Sequence, residues 1–213
     1  MSNYYRRNLP HYQPPQGEFF ITFRLANSLP KDAVAKLRDE YYKLSEGINS
    51  DAVSESKKAQ QEKYFAKFDR ILDQSKNSVC WLKEDKIAEI VANKLHSFDN
   101  RKYLLICYCI MPNHVHLLFK LYERDKSRST DSQYPVTNIL KLIKGSTAYQ
   151  ANKLLNKTGS FWQHESYDHL VRGDEERENI IRYILSNPVK AKLVDSWKEW
   201  KWIYCKKAYF PVR

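Results

Sequence analysis

Tyr103-Leu104-Leu105-Ile106-Cys107-Tyr108-Cys109-Ile110-Met111-Pro112-Asn113-His114-Val115-His116-Leu117-Leu118-Phe119 is the stretch that decides how this chain is read. Tyr103 to Ile110 is apolar throughout, as a strand buried on both faces should be. Met111-Pro112-Asn113 reads as a turn, and the residues after it as a second strand. The segment therefore predicts a strand pair, about Tyr103–Ile110 and His114–Leu121. Side chains alternate along a strand, so His114 and His116 share one face while Val115 and Leu117 point to the other. Two imidazoles side by side on a rigid strand make half of a metal site.

Working outward, Phe19-Phe20-Ile21-Thr22-Phe23-Arg24-Leu25 predicts a first strand, preceded by an extended arm over Met1 to Gln16. A charged stretch from about 30 to 76 has the look of a helical hairpin inserted after that strand. Trp81 to Ser97 contains a helix with Ile87, Ile90, Val91 and Leu95 on one stripe. Glu123 to Gln133 is polar and reads as a mobile loop. Val136 to Leu155 predicts a helix with Ile139, Leu142 and Ile143 inward and Lys141 and Lys144 toward solvent. Phe161-Trp162-Gln163 and Ser166 to Arg172 read as short extended pieces. Asp174, Glu175 and Glu176 suit the positive end of a final helix, expected to stop near Ser186 because of Pro188. The basic, aromatic tail runs from about 197 to 213. Strand, helices, strand, strand, helix, short strands and helix make one α+β domain over 1–213. A ferredoxin-like antiparallel or mixed sheet with packed helices is its simplest layout.

Composition narrows the chemistry. With only five glycines there is no glycine-rich phosphate loop, so a nucleotide cofactor is not expected. Lys and Arg number 36 against 25 Asp and Glu; the resulting +11 favours polyanionic partners. Cys80, Cys107, Cys109 and Cys205 form no C-x-x-C pair, and neither a signal peptide nor a long apolar span is visible. The expectation is a cytoplasmic protein with reduced thiols and no membrane partner. Cys107 and Cys109 stand close enough to the histidines for a zinc site to be considered. Small cysteines within a buried strand account for them more simply.

Asn179-Ile180-Ile181-Arg182-Tyr183-Ile184-Leu185-Ser186-Asn187-Pro188 is the helix that can complete the site. Ile180, Ile181, Ile184 and Leu185 form its core stripe. Tyr183 flanks that stripe, with Asn187 four residues on and near the same line. A phenol is a possible nucleophile, and the amide oxygen a third ligand for a hard cation held by two histidines. A divalent ion there would polarise a backbone phosphate while the tyrosine attacks phosphorus. The resulting phosphotyrosine keeps the bond energy, so the strand can be rejoined without ATP. Tyr167, in Tyr167-Asp168-His169, is a competing nucleophile; on a strand, however, Asp168 would point away from it.

Taken in order, these segments resemble the HUH single-tyrosine transposases, in particular the branch associated with repetitive extragenic palindromes. The resemblance runs from the Phe19–Leu25 strand through Met111–Leu118 and Tyr167–Arg172 to Arg182–Ala191. It implies His114 and His116 as metal ligands, Tyr183 as nucleophile and Asn187 in the place of a polar third ligand. It also implies Mg²⁺ or Mn²⁺, cleavage and rejoining of single-stranded DNA through a 5′-phosphotyrosine, recognition of hairpins, and a homodimer. DNA-contact candidates are Lys141, Lys144, Arg172, Lys198, Lys201, Lys206 and Lys207. Tail aromatics are available to stack on unpaired bases or to cap the core. The alternative reading is a non-catalytic, domesticated hairpin-binding protein with the same fold. A hydrolase or oxygenase built on the histidine pair would need a further His or carboxylate, and His96, His164 and His169 offer no obvious spacing for one.

Overall fold

The computed structural model describes residues 4–6, 10–14, 16–30, 32, 35–36, 39, 67–72, 79–122 and 134–211. Most of the 30–76 segment and the Glu123–Gln133 stretch lie outside these residues. A five-stranded antiparallel sheet organises the rest. Its strands are β3 (Gly17–Arg24), β4 (Tyr103–Ile110), β5 (His114–Leu121), β6 (Tyr167–Val171) and β7 (Ile203–Cys205), in the order β6-β3-β5-β4-β7. Helix α1 (Asp85–Phe98) joins β3 to β4, α2 (Pro135–Leu154) joins β5 to β6, and α3 (Asp174–Lys190) follows β6. The first four sheet strands with α1 and α2 thus follow the ferredoxin-like order β-α-β-β-α-β, with β5 lying between β3 and β4. Among the described residues, no helix is long and apolar enough to cross a membrane.

Because both sheet faces are covered, the strands carry apolar residues in both registers. Phe19, Ile21, Phe23, Val115, Leu117 and Phe119 pack toward α1 and α2. Phe20, Cys109, Met111 and Leu118 pack on the opposite face, with Ile181, Ile184 and Leu185 of α3. A register shift between Leu105 and Cys107 lets Ile106 and Cys107 both enter the α3-side core before Tyr108 returns to the other face. Phe23 is fully buried, its ring 4.8 Å from that of Trp162. Phe23→Ala should cost about 3–5 kcal/mol and lower the melting temperature by roughly 10 °C. A drop below about 2 °C in a thermal melt would contradict this packing.

Several expectations are corrected. The N-terminal arm contains a small antiparallel hairpin, β1 (Tyr4–Arg6) with β2 (Pro10–Tyr12). Beyond it, Gln13 donates to Asp168 at 2.8 Å and accepts from the Thr137 backbone at 3.1 Å. Leu142 is exposed, not inward: the buried stripe of α2 follows Val136, Ile139, Leu140, Ile143, Thr147 and Ala151, and Leu142 falls beyond its edge. α3 does not stop before Pro188 but runs through it to Lys190. The proline sits in the last turn, where few backbone bonds remain to be lost, and it is buried together with Asn187. The tail is part of the fold. β7 pairs with β4; Trp200 donates to the Ile110 carbonyl at 3.1 Å and Trp202 to Asp85 at 2.9 Å. Those two aromatics therefore cap the core.

Candidate active site

The histidines sit at the start of β5, on the α3 side of the sheet. Pairing with β3 places Thr22 opposite His116 and Arg24 opposite His114. Each imidazole is fixed through Nδ1. His114 Nδ1 lies 2.6 Å from Asn113 Oδ1, a carbonyl oxygen that only accepts, so this nitrogen carries the proton. His116 Nδ1 lies 2.8 Å from Thr22 Oγ1. Anchoring Nδ1 turns the two Nε2 atoms toward each other, 2.9 Å apart. Two nitrogens bound about 2.1 Å from one ion at a right angle would be about 3.0 Å apart, so the pair is already spaced for chelation. Phe20 stacks on His116 with ring centroids 5.8 Å apart and supports the ring from below.

Both imidazoles are completely buried. Burial penalises the charged form and pushes His114 down to about 3; His116 falls well below its ordinary value for the same reason, with the neighbouring His114 adding to it. Both rings are therefore neutral at neutral pH, the form that ligates a metal.

A third donor comes from an element that the sequence did not point to. Asp69, in the helical segment 67–72, is buried, with Oδ1 at 3.4 Å from His116 Nε2 and 3.8 Å from His114 Nε2. These three side chains are the one group of His, Cys, Asp or Glu among the described residues whose donor atoms converge on a common point. Nothing in the charged run around Asp69 marks it as different from its neighbours, and only the tertiary fold brings it to β5. Thr22 was equally invisible, since it becomes significant only once β3 and β5 are in register.

Tyr183 projects from the middle of α3 onto the same face. Its ring centroid is 5.4 Å from that of His116 and 6.0 Å from that of Phe20, both in edge contacts, and its hydroxyl is buried. The positive φ of Gly173, +96°, turns the chain from β6 into α3 and so sets where this tyrosine arrives. Because α3 continues through Pro188, Asn187 lies one helical turn beyond Tyr183, as its spacing suggested. Both polar atoms of its amide are buried without a hydrogen-bond partner among the described residues. Buried amides are rarely left so, and a ligand oxygen for a cation is one physical reason for it. The convergent donors, two neutral imidazoles and a carboxylate, fit a divalent ion.

The other expected residues are placed as follows. Tyr167 is buried on the α3 side, 6.3 Å from Phe20 and stacked on His169, while Asp168 faces Gln13 on the opposite side of the strand. Lys141 is exposed, and with Lys144, Phe161, Trp162 and His164 it lines an open cavity of 570 Å³. Lys144 donates to the His164 carbonyl at 3.0 Å and to Ser166 at 2.9 Å. Arg172, Lys198 and Lys207 are exposed, whereas Lys201 pairs with Asp85 at 2.6 Å and Lys206 with Asp99 at 3.5 Å. Arg172 follows edge strand β6 and the tail lysines surround edge strand β7, so the structure does not gather the cations into one patch. Cys107 and Cys109 are buried, form no disulfide and lie outside the convergent donor group.

A ferredoxin-like sheet that presents a His-hydrophobe-His pair beside a helix-borne tyrosine defines an HUH-type transposase fold. Residues 76–187 match the family described as transposase IS200 like, and the chain belongs to that family. It is similar to a protein of Haemophilus influenzae that carries the provisional name REP-associated tyrosine transposase. The two are 29% identical over 117 residues, 54% of this chain and 66% of that relative. Among solved structures, it is similar to a REP-associated tyrosine transposase bound to a REP hairpin, with a TM-score of 0.53 and 16% identity. That match covers 93% of this chain and 80% of the other, and at this identity it shows the fold.

Proposed function

We propose that this protein cleaves and rejoins single-stranded DNA at hairpins, with Tyr183 as nucleophile. The observation that carries the reading is the Tyr183 ring packed against His116 of its own chain, within a site whose imidazoles are aimed and neutral. His114 and His116 would hold a divalent ion, Mg²⁺ or Mn²⁺, with Asn187 as a further ligand. Such an ion supplies polarisation of a phosphate and neutralisation of charge on its oxygens. The Tyr183 oxygen forms a bond to phosphorus as the bond from phosphorus to the 3′-oxygen breaks. The phenol proton passes to solvent, and the departing oxygen takes one up to become a 3′-hydroxyl. A 5′-phosphotyrosine remains, and attack by another 3′-hydroxyl reverses the step. Thr22 and Asn113 act through the histidines, as positioning residues that fix the rings.

Family membership and the net charge of +11 support DNA over a small neutral substrate, although Asp69 supplies the carboxylate that a hydrolase or oxygenase would also need. The reading is tested with 5′- and 3′-labelled hairpin oligonucleotides from the flanks of the protein's own gene, in Mn²⁺ or EDTA. Metal-dependent cleavage with label attached to protein, lost in Tyr183→Phe and kept in Tyr167→Phe, is the expected result. Loss confined to Tyr167→Phe would move the nucleophile to β6. A salt-sensitive gel shift with no cleavage would favour the binding protein.

DNA contact by Lys141 and Arg172 has its own measure. If each neutralises one phosphate, Lys141→Ala or Arg172→Ala should reduce the slope of log K against log salt by about 0.7–0.9. An unchanged slope in a fluorescence-anisotropy titration would remove that residue from the interface.

A further inference from the structure

The family match begins at residue 76, and the convergent carboxylate lies before it, at Asp69. The histidines belong to the sheet, but this third donor comes from the segment that precedes the matched region. That segment is not loosely apposed. Leu72 is buried, and its carbonyl accepts from Asn113 Nδ2 at 2.9 Å. The same Asn113 amide accepts a hydrogen bond from His114 Nδ1 through Oδ1. One side chain thus ties the backbone of segment 67–72 to the orientation of a metal-binding imidazole. On the other side, the Arg24 guanidinium lies 5.8 Å from the centre of the Phe68 ring. Asp69 is held between these two anchors, with its Oδ1 toward both Nε2 atoms.

We infer that Asp69 is a metal ligand contributed by segment 67–72, so that the metal centre is complete only when that segment is docked against Asn113. This rests on the metal reading above and adds to it the source of the ligand. Two neutral imidazoles carry no charge to offset a divalent ion, and one carboxylate supplies it while leaving coordination positions open for phosphate oxygens. The arrangement makes a segment outside the matched region a condition for metal loading. Displacing it would remove a ligand and loosen His114 together.

The test is Mn²⁺ binding by the full chain, followed by electron paramagnetic resonance of free Mn²⁺ in the absence of DNA. Wild type would be compared with His116→Gln, Asp69→Asn, Asp69→Ala, Leu72→Ala and Asn187→Ala. Loss of outer-shell partners weakens metal affinity by about 10–100-fold, so loss of a direct ligand should reach at least the upper part of that range in both Asp69 variants. Leu72→Ala, which keeps the carboxylate but weakens its anchorage, should weaken binding by about tenfold. Melting in EDTA shows whether each variant is folded, and Mn²⁺ should raise the melting temperature of wild type but not of Asp69→Asn. If His116→Gln loses Mn²⁺ while both Asp69 variants bind as wild type does, Asp69 is a packing residue and the inference is overturned with the metal reading intact. A loss in Asn187→Ala beside unaffected Asp69 variants would give the ligand role to α3 instead. If His116→Gln binds as tightly as wild type, the metal reading itself falls.

Discussion

Tyr183→Phe should reduce formation of the covalent protein–DNA adduct by at least about a thousandfold, roughly 4 kcal/mol or more in the barrier. The substitution removes one oxygen and leaves a ring of nearly the same shape against His116 and Phe20, so the α3-side packing should survive. Hairpin binding and Mn²⁺ binding are therefore expected to stay near wild-type values while the chemistry stops. That separation gives the experiment its force, because a merely structural tyrosine would lower all three together. An adduct that still forms in Tyr183→Phe would place the nucleophile elsewhere. The aromatic residues of the α3-side core would then have to be tested singly, beginning with Tyr167.

The second large effect belongs to the histidine pair. His116→Gln should abolish metal-dependent cleavage, again by about a thousandfold, and with it the thermal stabilisation by Mn²⁺. His116 touches Thr22, His114, Phe20 and Tyr183, so its replacement also disturbs packing. A polar group is left in a closed core, which should cost about 1–3 kcal/mol even without metal. The two contributions separate in a melt with and without Mn²⁺. The packing cost appears in EDTA, whereas loss of the ligand appears only as a missing metal-induced shift. Thr22→Val offers a milder version. It keeps the shape of the β3 side chain and removes the hydroxyl that orients His116, so Mn²⁺ affinity should fall by about 10–100-fold, while the buried Nδ1 left without its partner should cost about 1–3 kcal/mol in the EDTA melt. Unchanged affinity would show that packing alone aims the ring.

The histidine pair, the strand that carries it and the tyrosine on α3 were legible because each depends on local order. Alternation places His114 and His116 on one face, and a turn of helix relates Tyr183 to Asn187 whatever surrounds them. The apolar run of β4 likewise announces a strand covered on both faces. Leu142 was misplaced because an apolar residue near a stripe need not be in it; the partner surface fixes where the stripe ends. Pro188 misled for a related reason. Local rules stop a helix there, yet burial of the final turn against the sheet carries α3 on to Lys190. The tail could be read as a base-stacking surface or as a cap, and only its pairing with β4 decides between them.

Sequence by itself thus determined the α+β class, the candidate metal-binding pair, the candidate nucleophile and the surplus of positive charge, since these follow from residue type and near-neighbour spacing. Tertiary structure alone decided the strand order, the Thr22 and Asn113 contacts that aim the imidazoles, and the arrival of Asp69 beside them. Those relations join residues far apart in the chain, and packing of the whole sheet, not any local periodicity, brings them within reach of one ion.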